Sequence, residues 1–243
     1  MKKALIGILV SSILMLGLLP SAVAAAPDRK PITPPEIKGI TFIHYAKPDV
    51  PPGQLKKEEP VEVDNSYYEL LDLHLAGTVS YYINPSGAPG GAVDEIIQSF
   101  ETWDVVTGTE LFSFTEQTSV YGLNYDEQNT VSWQGIVPPS TIAVTRLWYN
   151  GSTGEIIEFD IVFNSLLKWG IDPDGEGPKK LKRAYDVENI ATHEVGHVVG
   201  LDDLYEEQYR ELTMYGYGRK GEVIKISLEE GDIAGAQYLY GSP

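Results

Sequence analysis

The sequence predicts an α/β domain built on a twisted, mostly parallel five-stranded sheet with one antiparallel edge strand and three helices. Three observations predict it. Runs rich in β-branched and aromatic residues alternate with a stretch of helical apolar spacing, two longer strand-like runs are joined by a turn-rich connection, and two further helical patterns close the chain. A chain of 243 residues suits one such domain better than two.

The elements follow in order. Thr78–Ile83 is β-branched and aromatic and reads as the first strand. Asn84–Gly91 is turn-rich, and Ala92–Val106 then spaces Val93, Ile96, Ile97, Phe100 and Trp103 along one helical face that belongs in a core. Glu110–Thr115 and Thr130–Gly135 are short strand candidates. Thr141–Tyr149 and Glu155–Phe163 are longer, and Asn150-Gly151-Ser152-Thr153-Gly154 between them is a hairpin connection, so these two are antiparallel neighbours and one of them lies at the sheet edge. A second helix covers Val187–Val199, with Asp186 placed to cap it. A third covers Leu228–Leu239, where Ile233, Ala236, Gln237 and Tyr240 repeat at helical spacing.

The amino-terminal part reads differently. Met1-Lys2-Lys3, an apolar stretch from Ala4 to Leu19 and the small residues Ala22 and Ala24 form a signal-peptide pattern over residues 1–24, so a secreted chain beginning near Ala25 is expected. Residues 25–66 hold eight prolines between Pro27 and Pro60, a density that opposes helix and central strand, and read as a linker or prosegment. Within them Ile40–Tyr45 is β-like and suits an extra edge strand on the domain, whose boundaries are set at 67–243.

Lys and Arg number 18 against 35 Asp and Glu, a formal charge of −17 that repels phosphates, so neither nucleic acid nor a membrane surface is an expected partner of the mature, monomeric chain. Cysteine is absent, which excludes disulfides, thiolate metal sites and a cysteine nucleophile. Any transition metal must be held by nitrogen and oxygen. Asp172-Pro173-Asp174-Gly175-Glu176-Gly177 has the spaced acids of a calcium loop but lacks the downstream glutamate of a complete EF-hand. It reads as a polar surface turn, with Ca2+ as the alternative.

Only four histidines are present, and His193 and His197 stand four apart within the second predicted helix, so both imidazoles face one point. Zinc suits such a pair, since it takes imidazole nitrogen at about 2.0–2.1 Å and a catalytic site needs three protein ligands and an open position. Glu194 is offset by about 100° and can take the proton of a water beside the ion as general base. Gly200 can end the helix in the left-handed conformation and turn Asp202-Asp203 back toward the metal.

His193-Glu194-Val195-Gly196-His197-Val198-Val199-Gly200-Leu201-Asp202-Asp203, followed by Thr213-Met214-Tyr215, resembles the signature and Met-turn of the metzincin clan. The segment Ser227–Gly241 looks like the last helix of its matrixin branch, and the likeness runs over about residues 67–243. The resemblance implies a secreted zinc-dependent endopeptidase acting on protein or peptide substrates through water activated by one zinc. It further implies His193, His197 and Asp203 as ligands, Met214 beneath the metal, and Thr141–Tyr149 as an edge strand whose Ile142, Ala143 and Val144 pair with substrate. Three departures stand out. Asp203 replaces the histidine usual in matrixins, His44 and His74 cannot assemble a three-histidine structural zinc, and no cysteine is present for a cysteine switch. Where the family often has two acids in the last helix, Gly231 leaves only Asp232. Two rival readings are a gluzincin-type peptidase using Glu211 or Glu222, which leaves Gly200 and Asp203 without a role, and a silent zinc-stabilised binding module, for which Glu194 has no use.

Overall fold

The structure, a computed structural model, describes residues 35–48, 61–172 and 181–243. The signal-peptide reading over 1–24 and the calcium-loop reading beyond Asp172 fall outside these residues. The described residues belong to a unit spanning Pro35–Pro243. Its strands are β1 (Ile37–Ala46), β2 (Val79–Ile83), β3 (Phe112–Gln117), β4 (Asn129–Gln134), β5 (Thr141–Asn150), β6 (Ile156–Asn164), β7 (Trp169–Gly170), β8 (Tyr185–Asp186) and β9 (Tyr217–Gly218). Its helices are α1 (Ala92–Thr107), α2 (Val187–Val199) and α3 (Glu230–Tyr240), and short 3-10 turns occupy Glu207–Tyr209 and Ile224–Ile226.

The main sheet has seven strands in the order β3-β2-β4-β6-β5-β1-β9, and β7 pairs with β8 apart from it. β2, β3, β4 and β6 run parallel. β5 is antiparallel to both β6 and β1, and β9 is parallel to β1, so β5 alone runs against the rest. The five expected strands and three helices are all present. The strand count and the edge are corrected: β5 is interior, because β1 supplies ladder partners along its outer side from Ile37↔Asn150 to His44↔Ala143. The β-like run Ile40–Tyr45 is the middle of this added strand.

Aromatic packing joins helices to sheet. Phe100 of α1 stacks on Tyr81 of β2 at 3.9 Å between centroids and meets Phe112 of β3 edge-on at 4.9 Å. Trp103 is fully buried and donates its indole N–H to the Thr192 carbonyl at 3.0 Å, so α1 is bonded directly to the middle of α2. Burying such rings contributes about 25 cal/mol per Å² of apolar surface, and truncating one of them costs about 3–5 kcal/mol. α2 is thereby packed between α1 and the sheet.

Candidate active site

α2 begins where the Asp186 carboxylate accepts the Asn189 amide at 2.8 Å, the cap expected from sequence. It stops at Gly200, whose φ of 115° is left-handed and whose amide reaches the carbonyls of Gly196 and His197 at 3.1 Å. A Cβ there would lie 2.5 Å from the Leu73 carbonyl oxygen, so only glycine makes this turn. Between these ends every residue but Glu188 is buried, with Val195, Val198 and Val199 in the core and His193, Glu194 and His197 directed at one another's side of the helix.

Each imidazole is oriented by a backbone carbonyl. His193 Nδ1 lies 2.7 Å from the Thr213 oxygen and His197 Nδ1 lies 2.9 Å from that of Leu201. A carbonyl only accepts, so Nδ1 carries the hydrogen in both rings and each Nε2 presents a lone pair. Burial lowers the pKa of His193 to about 4, which keeps its ring neutral. Asp203 Oδ1 lies 3.3 Å from His193 Nε2 and 3.7 Å from His197 Nε2, and the three ligand atoms fall within 4.8 Å of one another. His193 Nε2 and Asp203 Oδ1 are buried without a hydrogen-bond partner.

Two acceptors facing each other in a buried site repel unless a cation lies between them. Tetrahedral zinc with nitrogen at about 2.0–2.1 Å and oxygen at about 2.0–2.2 Å sets its donors roughly 3.3–3.4 Å apart. The donor set therefore fits zinc. Asp203 is further fixed through Oδ2, which accepts the Tyr205 hydroxyl at 2.9 Å. Asp202 spends Oδ1 on the Asp203 amide at 2.8 Å instead.

Glu194 is fully buried on the adjoining face. Its Oε2 accepts the Thr145 hydroxyl of β5 at 2.5 Å, and its Oε1 lies 3.1 Å from His44 Nδ1 of β1. Burial pushes its carboxyl up to about 8. Met214 is buried beneath α2, and a Cβ on Gly196 would come within 2.2 Å of its sulfur, so this glycine makes the room the Met-turn occupies. Asp232 of α3 holds that turn: its carboxylate accepts the amides of Thr213 at 2.9 Å, Met214 at 3.2 Å and Glu229 at 3.1 Å. Where a first acid was missing, the Gly231 amide bonds the Asn65 oxygen at 2.6 Å, and a Cβ would collide with the Tyr67 carbonyl.

The structure thus brings His193, Glu194, His197, Asp203, Gly200 and Met214 together. Ile142, Ala143 and Val144 line the neighbouring strand, but the expectation that they form a free substrate edge is corrected, because Ala143 and Val144 already pair with His44 and Ile43. Among the described residues neither Glu211 nor Glu222 joins a candidate ligand cluster. Sequence reasoning missed His44, Thr145 and Tyr205. The scarcity of histidine flagged His44 only as a leftover, and the other two are ordinary residues whose partners lie across the fold.

The matrixin family model matches residues 78–241. Among known proteins, the hatching enzyme of Paracentrotus lividus is 32% identical over 61% of this chain and 22% of its own length. Metalloendoproteinase 2-MMP of Arabidopsis thaliana is 29% identical over 42% of this chain and 30% of its own. The chain thus spans less than a third of each of these two relatives. A solved structure, metalloproteinase-II of Bacteroides fragilis, aligns over 75% of this chain and 59% of its own at 9% identity, with a TM-score of 0.35. The family match covers β2 to β6 and the helix that carries the histidines, and on that match the chain belongs to the matrixins.

Proposed function

We propose that the protein is a zinc-dependent endopeptidase that cleaves protein or peptide substrates outside the cell membrane. The observation that carries this reading is the convergence of two imidazoles oriented by backbone carbonyls and one carboxylate, with His193 Nε2 and Asp203 Oδ1 buried without a hydrogen-bond partner. His193, His197 and Asp203 are the ligands in this reading, and Tyr205 keeps Asp203 turned toward them. Zinc, when bound, supplies Lewis-acid polarisation of the scissile carbonyl and a more acidic water. Glu194, with Oε2 fixed by Thr145, takes the water's proton on Oε1 and delivers it to the leaving amine.

Export is proposed from the pattern over residues 1–24, and among the described residues no helix is long and apolar enough to cross a membrane. The buried glutamate beside the ligands weighs against a silent module, since a structural metal needs no base. Digestion of casein by the purified protein, with and without a chelator, tests the function. Cleavage that is lost on chelation and restored by zinc supports it, whereas zinc binding without cleavage of any peptide favours the silent module.

A further inference from the structure

Lys225 is a fully buried cation that the cleavage chemistry does not use. It lies in the 3-10 turn Ile224–Ile226 and is 0% exposed. A buried charge is costly unless it is paired and hydrogen-bonded, yet among the described residues no carboxylate lies within ion-pair distance of its Nζ. The ammonium donates instead to the Tyr215 carbonyl and lies 3.4 Å from Nε2 of His44, whose ring rests on that of His193 at 4.0 Å between centroids. Burial lowers its pKa to about 8, against the pull of Glu222, Asp203, Glu194 and Asp232, so the charge is kept at neutral pH.

The backbone of the same residue is engaged as well. Its amide donates to Asn189 Oδ1 at 2.8 Å, one helical turn before His193, and its carbonyl accepts the Thr213 hydroxyl at 3.3 Å. Lys225 therefore meets α2 on one side and the segment Thr213–Tyr215 at two points on the other. That segment supports two of the proposed ligands. The Thr213 carbonyl orients His193 Nδ1 at 2.7 Å, the Met214 carbonyl accepts the Leu204 amide at 2.9 Å, and the Gly216 amide donates to the Leu204 carbonyl at 2.8 Å. Leu204 directly follows Asp203, so the Tyr215 carbonyl stands between the bonds that fix the two ligand arms. Asp232 takes amides of this segment and Lys225 takes a carbonyl, so neither can do the work of the other. We infer that Lys225 is a positioning residue for the metal: by holding the Tyr215 carbonyl, its ammonium keeps the His193 and Asp203 arms at the spacing zinc requires. This deepens the zinc-endopeptidase reading and rests on it for the ion and its ligands.

The test compares the full chain as wild type and as Lys225→Met, which keeps an unbranched apolar stem and loses the charge and its donors. Zinc affinity is read by competition with a chelating dye, and the melting temperature of each form is measured by calorimetry with and without zinc. Lys225→Met should bind zinc about 10–100-fold more weakly than wild type, and its melting temperature should rise less on adding zinc. A lysine that only stabilised the fold would lower both melting temperatures alike and leave zinc affinity unchanged, and that result overturns the proposal. Tighter zinc binding by Lys225→Met overturns it too, since that is the outcome for an ammonium that acts only by repelling the ion. If circular dichroism shows Lys225→Met unfolded, the wild type decides. Coupling is reciprocal, so zinc should slow the exchange of the Lys225 ammonium hydrogens, followed by nitrogen-15 magnetic resonance, and an unchanged rate overturns the proposal. Wild type that binds no zinc removes the endopeptidase reading and this proposal together. Zinc binding weakened in Lys225→Met, with casein cleaved by neither form, keeps the proposal and removes the endopeptidase reading alone.

Discussion

Glu194 and Asp203 are both buried carboxylates near the same two imidazoles, and their partners assign them different work. Asp203 turns an oxygen without a hydrogen-bond partner toward both Nε2 atoms, whereas Glu194 has its oxygens on Thr145 and His44. Glu194→Ala should lower the cleavage rate by about 10²–10⁴-fold with zinc content unchanged, as read by metal analysis beside a peptide assay. Asp203→Ala should lose zinc and Asp202→Ala should keep it; loss in the latter alone would move the ligand one residue back. Tyr205→Phe removes the hydroxyl that orients Asp203, and zinc affinity should fall about 10–100-fold in competition with a chelating dye. At this scale the sequence disclosed the ligand helix, because two histidines one turn apart are a local pattern. Thr145, Tyr205 and His44 were not legible, because each acts through a contact that only folding creates.

The elements were largely legible, for the same local reason. β2 to β6 and the three helices follow apolar periods of two and 3.6, and the cap at Asp186 and the stop at Gly200 follow from single residues whose chemistry allows little else. β1 was recognised as strand-like, but its two partners lie far along the chain and no period in 37–46 names them. The cap carries a prediction. Burial raises the Asp186 carboxyl to about 6 in the folded protein, above an unfolded value of about 3.9. The folded state therefore holds this proton more tightly, and the stability it contributes is present below about pH 4 and lost as pH rises through about 6. Asp186→Asn keeps the bond to the Asn189 amide and should flatten that part of the stability profile, measured by urea denaturation across pH 4–7. Asp186→Ala should cost about 0.5–2 kcal/mol below about pH 4, and less as pH rises through about 6.

For the molecule as a whole, metal and fold would be linked through α2, since the two proposed histidine ligands sit on a helix bonded to α1 by Trp103, and His193 is oriented by the Thr213 carbonyl of a turn that Asp232 bonds to α3. A ligand present at about 100 times its dissociation constant stabilises the folded state by about 2.7 kcal/mol. For a domain of this size, chelation should lower the melting temperature by about 5–10 °C, followed by calorimetry, and no shift would show that the cluster holds no metal in solution. The acidic balance that argues against nucleic acid was readable from composition alone. The covering of the two histidines by β1 was not, since it depends on the place of one strand in the sheet order. That place has a consequence for the time course of folding. β1 pairs with a segment about a hundred residues downstream, and contacts of such separation form late. Phe42→Ala should therefore leave the refolding rate near that of wild type and speed unfolding by about a hundredfold or more, read by stopped-flow fluorescence. On that order of events a newly folding chain should bring His193 and His197 together before Phe42 and His44 of β1 come to lie on them.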